Sequence, residues 1–600
     1  FALMMKAREK TKKVFRHPPV LNVISIQESN DILIDQAAEL IGENKTEVAE
    51  IKRLLQTFID AKNYGSILQP EKVDFDKYLR KIEQLQQSGE HTLETFEVYE
   101  QLDKIKELVI QAKLLASQYD VVVTNPPYMG GKGMNLQLKK YLSDYYSKGK
   151  SDLFAAFMIR AQHFTVENGF SAAINQHSWM FLSSFEELRK EFLSHTTIYS
   201  MLHLGTRTFE EVGGEVVQST SFVLRQSFIA NYKGKYVRLV DYSSSRAKEE
   251  MFLCKKENDI FVRNQEGFMD IPGSPIAYWA NKRVFQCFRE NNLISEIAET
   301  RKGMVTADNS RFIRNWFEIS INKFYKHAKN RLEAKESNAK WFPYKKGGEY
   351  RKWYGNDLFV VNWENDGYEL LHMKEEGYKV GSTNHNLEYI FKPAVVWNKV
   401  TSGSFSARYA SHGFLYDDAN AFLTSKHSDL DKYLLGLLNS AVSKFNLNII
   451  NPTLNFQPGN IGVLPFRLRS DLKSAVLNIV NLNIQISKND WDSFETSWDF
   501  KRHPFLTYRE NAKTLEECYA NWADHAEKQF QQLKKNEEEL NRIFIELYGL
   551  QDELTPEVPD EEVTVRRADR VRDAKSFLSY CIGLMMGRYS LDVEGLAYAG

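Results

Sequence analysis

The chain has 600 residues, of which 43% are hydrophobic and 26% charged, and its formal net charge is −1. That length suits several domains, and that balance is the one of a packed globular protein rather than a disordered or fibrous one. Near-neutral charge gives no bulk support for nucleic-acid binding, so any basic surface must be local.

Phe1-Ala-Leu-Met-Met-Lys-Ala-Arg-Glu-Lys10 reads as the middle of a helix, without a cap or initiator methionine, so the chain is expected to be cut at its start. Its end, Leu596-Ala-Tyr-Ala-Gly600, also stops without a tail. Residues 19–26 form an apolar, β-branched run that predicts a buried strand, and 30–117 show helical periodicity. Tyr119-Asp-Val-Val-Val-Thr124 is a second buried-strand pattern. It runs into Asn125-Pro-Pro-Tyr128, where two prolines forbid further ladder pairing. A helix over 151–164, a strand over 169–174, a helix over 185–193 and strands over 200–204 and 218–224 follow, an alternation that argues for an α/β layered sheet.

After about residue 245 the pattern changes. We divide the chain into a catalytic part at 1–245 with a helical insertion at 30–117, a helical connector at 246–292, an irregular α+β domain at 293–470 and a helical region at 471–600. Cys254, Cys287, Cys518 and Cys581 lie far apart, without zinc-ligand spacing, so no metal is expected and reduced thiols in a cytoplasmic protein are. No signal peptide and no apolar run long enough to span a membrane is found.

Asn125, Pro126, Pro127 and Tyr128 carry the chemistry. Methylating an exocyclic base amine requires a flipped base, acceptors for both N6 protons and a flat surface for the ring. Asn125 can accept one proton with its side-chain carbonyl and Pro126 the other with its backbone carbonyl, while Tyr128 stacks. Catalysis is then mostly positioning. Gly130, Gly131 and Gly133 lack the Lys-Ser/Thr of a phosphate loop and read as a loop closing over the base. Lys132, Lys139 and Lys140 could touch phosphates or form a solvated helix face.

Farther on, Lys345-Lys346 and Arg351-Lys352-Trp353-Tyr354 make a basic-aromatic cluster that suits phosphate contact and stacking, or an ordinary surface loop. Trp397-Asn398-Lys399 could reach base edges or close a core strand. Asp490, Asp492, Glu495 and Asp499, interleaved with Trp491 and Trp498, read as a structural corner packed on the catalytic domain rather than a metal or nuclease site.

Val123-Thr-Asn-Pro-Pro-Tyr-Met-Gly-Gly-Lys-Gly-Met-Asn135, Lys150-Ser-Asp-Leu-Phe154, Asp490-Trp-Asp-Ser-Phe-Glu-Thr-Ser-Trp-Asp-Phe500 and Gly587-Arg-Tyr-Ser-Leu-Asp592 resemble the gamma-class N6-adenine amino-methyltransferases, and among them those of BREX phage defence. The resemblance covers nearly the whole chain. It implies a Rossmann-like methyltransferase sheet, S-adenosylmethionine as cofactor, double-stranded DNA as substrate and other BREX defence proteins as partners. It also implies a target-recognition domain near 293–470, with Lys302, Arg311, Arg314, Arg351, Lys352, Trp397 and Lys399, besides Lys132, as DNA contacts. By the same resemblance Gln27 or Glu28 would lie near the cofactor adenine, and Asp152 and Phe154 would line its methionine end or the target pocket. One departure stands out. The family's Asp-Pro-Ala-Cys-Gly-Ser-Gly cofactor loop and acidic strand end are absent, so the sheet is expected to be incomplete and this chain alone to bind the cofactor poorly. A fused restriction-modification enzyme with an upstream nuclease, and a recognition fragment without activity of its own, are the alternatives.

Overall fold

The computed structural model describes the chain apart from residues 1, 17, 19–20, 89–91, 93–94, 210–216, 255–258, 376, 378–379, 402, 428–429, 452–453 and 598–600. It divides into two compact units, Phe1–Glu266 and Gly267–Gly600.

In the first unit, helices Ile34–Ile41, Lys45–Gln56, Phe75–Ser88 and Phe96–Ala116 precede the sheet. Val98, Leu102, Ile105, Leu108, Val109, Ala112 and Leu115 recur at helical spacing on the last of these and are buried. They join Leu54, Leu55 and Phe58 in one apolar core.

Six strands follow, with a helix at Leu153–Phe164 before the second: β1 (Tyr119–Thr124), β2 (Thr165–Gln176), β3 (Thr197–Gly205), β4 (Ser219–Arg225), β5 (Lys233–Arg238) and β6 (Ile260–Asn264). Their order in the sheet is β1-β2-β4-β3-β5-β6. β1 and β2 are parallel, β4 is antiparallel to both β2 and β3, and β3 is parallel to β5. β1, β2 and β3 therefore run the same way. Whatever leaves their carboxyl ends emerges at one end of the sheet.

Three sequence expectations need correction. Tyr119–Thr124 is a strand but not a buried one: it is the sheet edge, with Val121 60% and Val123 73% exposed. Residues 21–26 form no strand, and Leu21, Val23 and Ile24 are exposed; residues 19–20 lie outside the described residues. A strand exists only by pairing, and among the described residues β1 pairs with β2 alone. The expected helical connector at 246–292 also divides, because β6 pairs with β5 in the first unit while the Lys282–Glu290 helix lies in the second.

The second unit holds β7 (Asn292–Leu293), β8 (Ala298–Lys302), β9 (Ile313–Asn315), β10 (Trp341–Lys345), β11 (Phe359–Asn362), β12 (Ala394–Asn398), β13 (Ala407–Ala410), β14 (Leu415–Tyr416), β15 (Asn420–Ser425) and β16 (Pro465–Phe466). They form sheets ordered β14-β10-β11-β9, β13-β12-β15-β8 and β16-β7. Long helices at Ser470–Asp492 and Leu515–Tyr548 are bound into the same unit. Trp316 Nε1 donates to the Thr496 carbonyl at 2.9 Å and Trp353 Nε1 to Glu537 at 2.7 Å. The segments 293–470 and 471–600 both fall within the second unit.

Candidate functional site

The site begins where β1 runs out. Asn125 and Pro127 are exposed, Pro126 is buried and Tyr128 is half-buried. Together with Arg207, Thr208, Phe209 and Val217 they line a cavity of about 320 Å³, within the range of small-molecule sites. The topology explains the meeting: Arg207–Phe209 follow β3, whose carboxyl end lies on the same side of the sheet as that of β1. Arg207 has φ +54, a left-handed conformation that costs a side-chain-bearing residue energy. Its loop is anchored from behind, because buried Lys248 donates its ammonium to the Thr206 carbonyl. Sequence reading missed Arg207, Phe209 and Lys248. The usable signal was an aromatic just past a strand parallel to the one bearing the motif.

Tyr128 is fixed on its inner side. Its hydroxyl donates to the Ile174 carbonyl at 3.4 Å, and its ring meets Phe154 edge-on at 6.1 Å. Phe154 in turn packs on Phe185 at 5.4 Å. Burial raises the Tyr128 pKa, and a contact with Ser219 opposes the rise. Asp152 accepts hydrogen bonds from the Met129 amide at 3.0 Å and the Phe154 amide at 3.3 Å, so it caps the Leu153–Phe164 helix and pins the chain leaving Tyr128. Leu153 N returns a bond to the Met129 carbonyl at 3.0 Å. Desolvation raises the Asp152 pKa, countered by these amides. Gly130–Gly133 forms a turn closed by Gly133 N on the Gly130 carbonyl at 2.9 Å. Lys132, Lys139 and Lys140 are exposed beyond it.

Of the four residues assigned to the cofactor or target pocket by resemblance, Asp152 and Phe154 sit against the motif, whereas Gln27 and Glu28 are held elsewhere. Phe154 is fully buried and reaches the site only through Tyr128. The Gln27 backbone is clamped by Gln111 on the Phe96–Ala116 helix, at 2.7 and 3.1 Å. Glu28 accepts from the Lys62 amide at 3.0 Å. Neither residue lines the cavity.

Of the DNA contacts expected in the second unit, several are buried. Arg351 donates to Asp490 at 2.6 Å, and Arg566 holds the same carboxylate at 3.2 Å. Lys352 pairs with Glu537 in the interior. Trp397 is fully buried and donates to the Phe456 carbonyl at 2.9 Å. Asn398 is spent on the Gly348 carbonyl and on Arg408. Arg311 pairs with Glu369, and Arg314 donates to the carbonyls of Ser310 and Ile313. Lys302 is exposed at the end of β8. Lys399 pairs with Asp418 at 2.8 Å and lines a second cavity of about 460 Å³.

The acidic corner is structural, and its partners Arg351, Arg566 and Lys326 all lie in the second unit. Asp490 is clamped by the two arginines, and Asp499 is bound by Lys326 at 2.6 Å. Although burial pushes the Asp490 pKa up, the charges of Arg566 and Arg351 outweigh it and hold the carboxyl below its usual value. Among the described residues no group of three or more His, Cys, Asp or Glu side chains could hold a metal, and no helix is long and apolar enough to cross a membrane.

Residues 40–209 match the Eco57I restriction-modification methylase family. The chain is 40% identical over 615 aligned residues to the adenine-specific methyltransferase PglX of Lacticaseibacillus casei (strain Zhang), covering all of this chain and 50% of that protein. It is 34% identical over 644 residues to the adenine-specific methyltransferase BrxX of Escherichia coli O9:H4 (strain HS), covering all of this chain and 51% of that one. Among solved structures, the Type IIL restriction-modification enzyme MmeI in complex with DNA aligns at 13% identity and a TM-score of 0.44, over 77% of this chain and 57% of that one. Along its whole length the chain is thus related to the adenine-specific methyltransferases PglX and BrxX, and it spans about half the length of either.

Proposed function

We propose that this chain carries the adenine-holding and DNA-reading parts of a site-specific DNA adenine-N6 methyltransferase of phage defence. The observation that carries the reading is the cavity that Asn125–Tyr128 share with Arg207–Phe209 at the carboxyl end of three like-directed strands. Open α/β sheets bind ligands at that end. The order β1-β2-β4-β3 with β4 reversed supports one half of a Rossmann-like methyltransferase sheet, with β1 at the edge that the other half would extend.

In this reading the duplex yields one adenine to the cavity. The Asn125 side-chain oxygen and the Pro126 carbonyl accept the two N6 protons, which draws the amine out of conjugation. Tyr128, braced by Phe154 and Phe185, offers one flat face. Phe209, 38% exposed on the same cavity, offers another. Asp152 keeps the Met129 end of the motif in place.

S-adenosylmethionine supplies the methyl group in this class. The residues present do not fit its adenosine half: the glycine-rich cofactor loop is not in the sequence, and Gln27 and Glu28 are held against helices. Double-stranded DNA is the proposed substrate and other BREX defence proteins are the proposed partners. The cytoplasm is the proposed location, where host DNA lies.

Single-molecule sequencing of host DNA with and without the gene tests the proposal. A set of N6-methyladenines at one sequence motif, lost on deletion, is expected. Unchanged adenine modification would overturn it.

A further inference from the structure

The cavity of about 460 Å³ in the second unit is built from four segments, around 304–309, 346–348, 398–400 and 417–419. We infer that it reads base edges of the duplex and that Lys399 and Asp418, with Lys346 and Asp417, set sequence specificity. This rests on the reading that the protein methylates DNA.

Charge balance is the first argument. Each cation in the cleft faces an acid: Lys399 Nζ lies 2.8 Å from Asp418, and Lys346 Nζ lies 3.2 Å from Asp417. A surface that tracks phosphates uses uncompensated cations. Base edges instead present acceptors and donors side by side, so matched lysines and carboxylates suit them: Lys for guanine O6 and N7, Asp for the cytosine amine.

Rigidity is the second argument. Asp417 is held by the Tyr344 hydroxyl at 2.9 Å and the Ala419 amide at 2.7 Å, so its remaining acceptor capacity has a fixed direction. Thr306 donates its hydroxyl to Asn309 Oδ1, which orients the amide of this exposed residue. Discrimination needs such preorganised groups, because a loose donor adapts to any base.

The rim and floor complete the case. Val305 and Val400 are 41% and 69% exposed, apolar contacts of the kind that meet a thymine methyl. Beneath the floor, Asn420 is fully buried and neither atom of its side-chain amide has a hydrogen-bond partner within the protein. A Cβ added to Gly347, which lines the cleft, would stand 3.8 Å from Asn420 Oδ1 and 3.7 Å from the Cβ of Ala419.

The test uses the full-length protein, a random duplex library and sequencing of the methylated products, for the wild type, Lys399→Gln and Asp418→Asn. Both substitutions remove charge at a solvent-reachable pair and are expected to fold; a thermal melt checks this, and Lys346→Gln replaces either variant that does not. The expected result is that one position of the methylated consensus relaxes, by roughly ten- to hundred-fold in discrimination, while the other positions hold. An unchanged consensus, or an equal loss over all sequences, would overturn the inference while leaving the methylation reading intact. No methylated adenine with the wild type would overturn both.

Discussion

Asp152 accepts the Met129 amide at 3.0 Å while capping the helix that begins at Leu153, so one carboxylate joins the end of the Asn125–Tyr128 segment to the element packed behind it. Removing it should cost both cap and placement. Asp152→Ala is expected to destabilise the first unit by about 1 kcal/mol, the usual worth of an N-cap, and to lower the methylation rate of the full-length protein. Asp152→Asn keeps an acceptor oxygen and should retain most of both. Melting curves and rates of the two variants check this; equal loss in both would show that charge rather than acceptance matters.

The buried imidazole pair predicts acid sensitivity. His177 Nδ1 and His203 Nε2 are 3.0 Å apart, and burial lowers the His177 pKa to about 4. The sign follows from linkage. In the unfolded chain the group takes its proton near 6.5, the ordinary value, whereas the folded protein refuses it until about 4. Stability is therefore full above pH 6.5 and is lost as pH falls toward 4, at about 1.4 kcal/mol per pH unit for one such group. Urea unfolding at several pH values should show this slope, and His177→Gln should reduce it without abolishing it, because burial also holds His203 well below its ordinary value. His503, also lowered to about 4 by burial, leaves a residual slope in the second unit.

Arg351 and Lys302 should separate cleanly. Arg351 pairs with Asp490 in the interior, so Asp490→Ala leaves a buried arginine short of its charge partner and should cost about 3–5 kcal/mol. Lys302 is exposed, and if it meets a phosphate, Lys302→Ala should lower the salt slope of DNA binding by about one unit with little change in melting. Binding titrations at several salt concentrations read the difference. A changed slope for a folded Arg351→Ala would contradict the structural role.

Lys248 tests the second wall of the cavity. Its ammonium holds the Thr206 carbonyl at the root of the Arg207–Phe209 loop. Lys248→Met keeps the length but not the bond, and kcat/KM for DNA methylation should fall roughly ten- to hundred-fold through misplacement. Lys248→Arg should restore part of it. No change in either variant would remove Lys248 from the account.

How much of this was legible depended on distance along the chain. Tyr119–Thr124 ending at two prolines is a local pattern, and the strand ends there. The strand expected over 218–224 lies at Ser219–Arg225 for the same reason. Strand exposure was not legible, because Val121 and Val123 read as core until the sheet order puts them at an edge. The strand expected over 19–26 failed likewise, since among the described residues nothing pairs with 21–26. Arg351 and Lys352 looked like a surface cluster because their partners, Asp490 and Glu537, lie more than a hundred residues away. Phe209 joins Tyr128 only through strand order, which no short motif encodes.

The cofactor reading has its own check. Calorimetric titration of S-adenosylmethionine into these 600 residues should give little or no binding heat. Micromolar affinity would show that the residues present do hold the adenosine half.

The central claim is that Asn125 holds the target amine. Asn125→Ala in the full-length protein, with methyl transfer to a duplex carrying its recognition site, tests it most directly. The account predicts a loss of about a hundredfold or more, as when a transition-state hydrogen-bond partner is removed, with DNA binding retained. Methylation at near wild-type rate would contradict it.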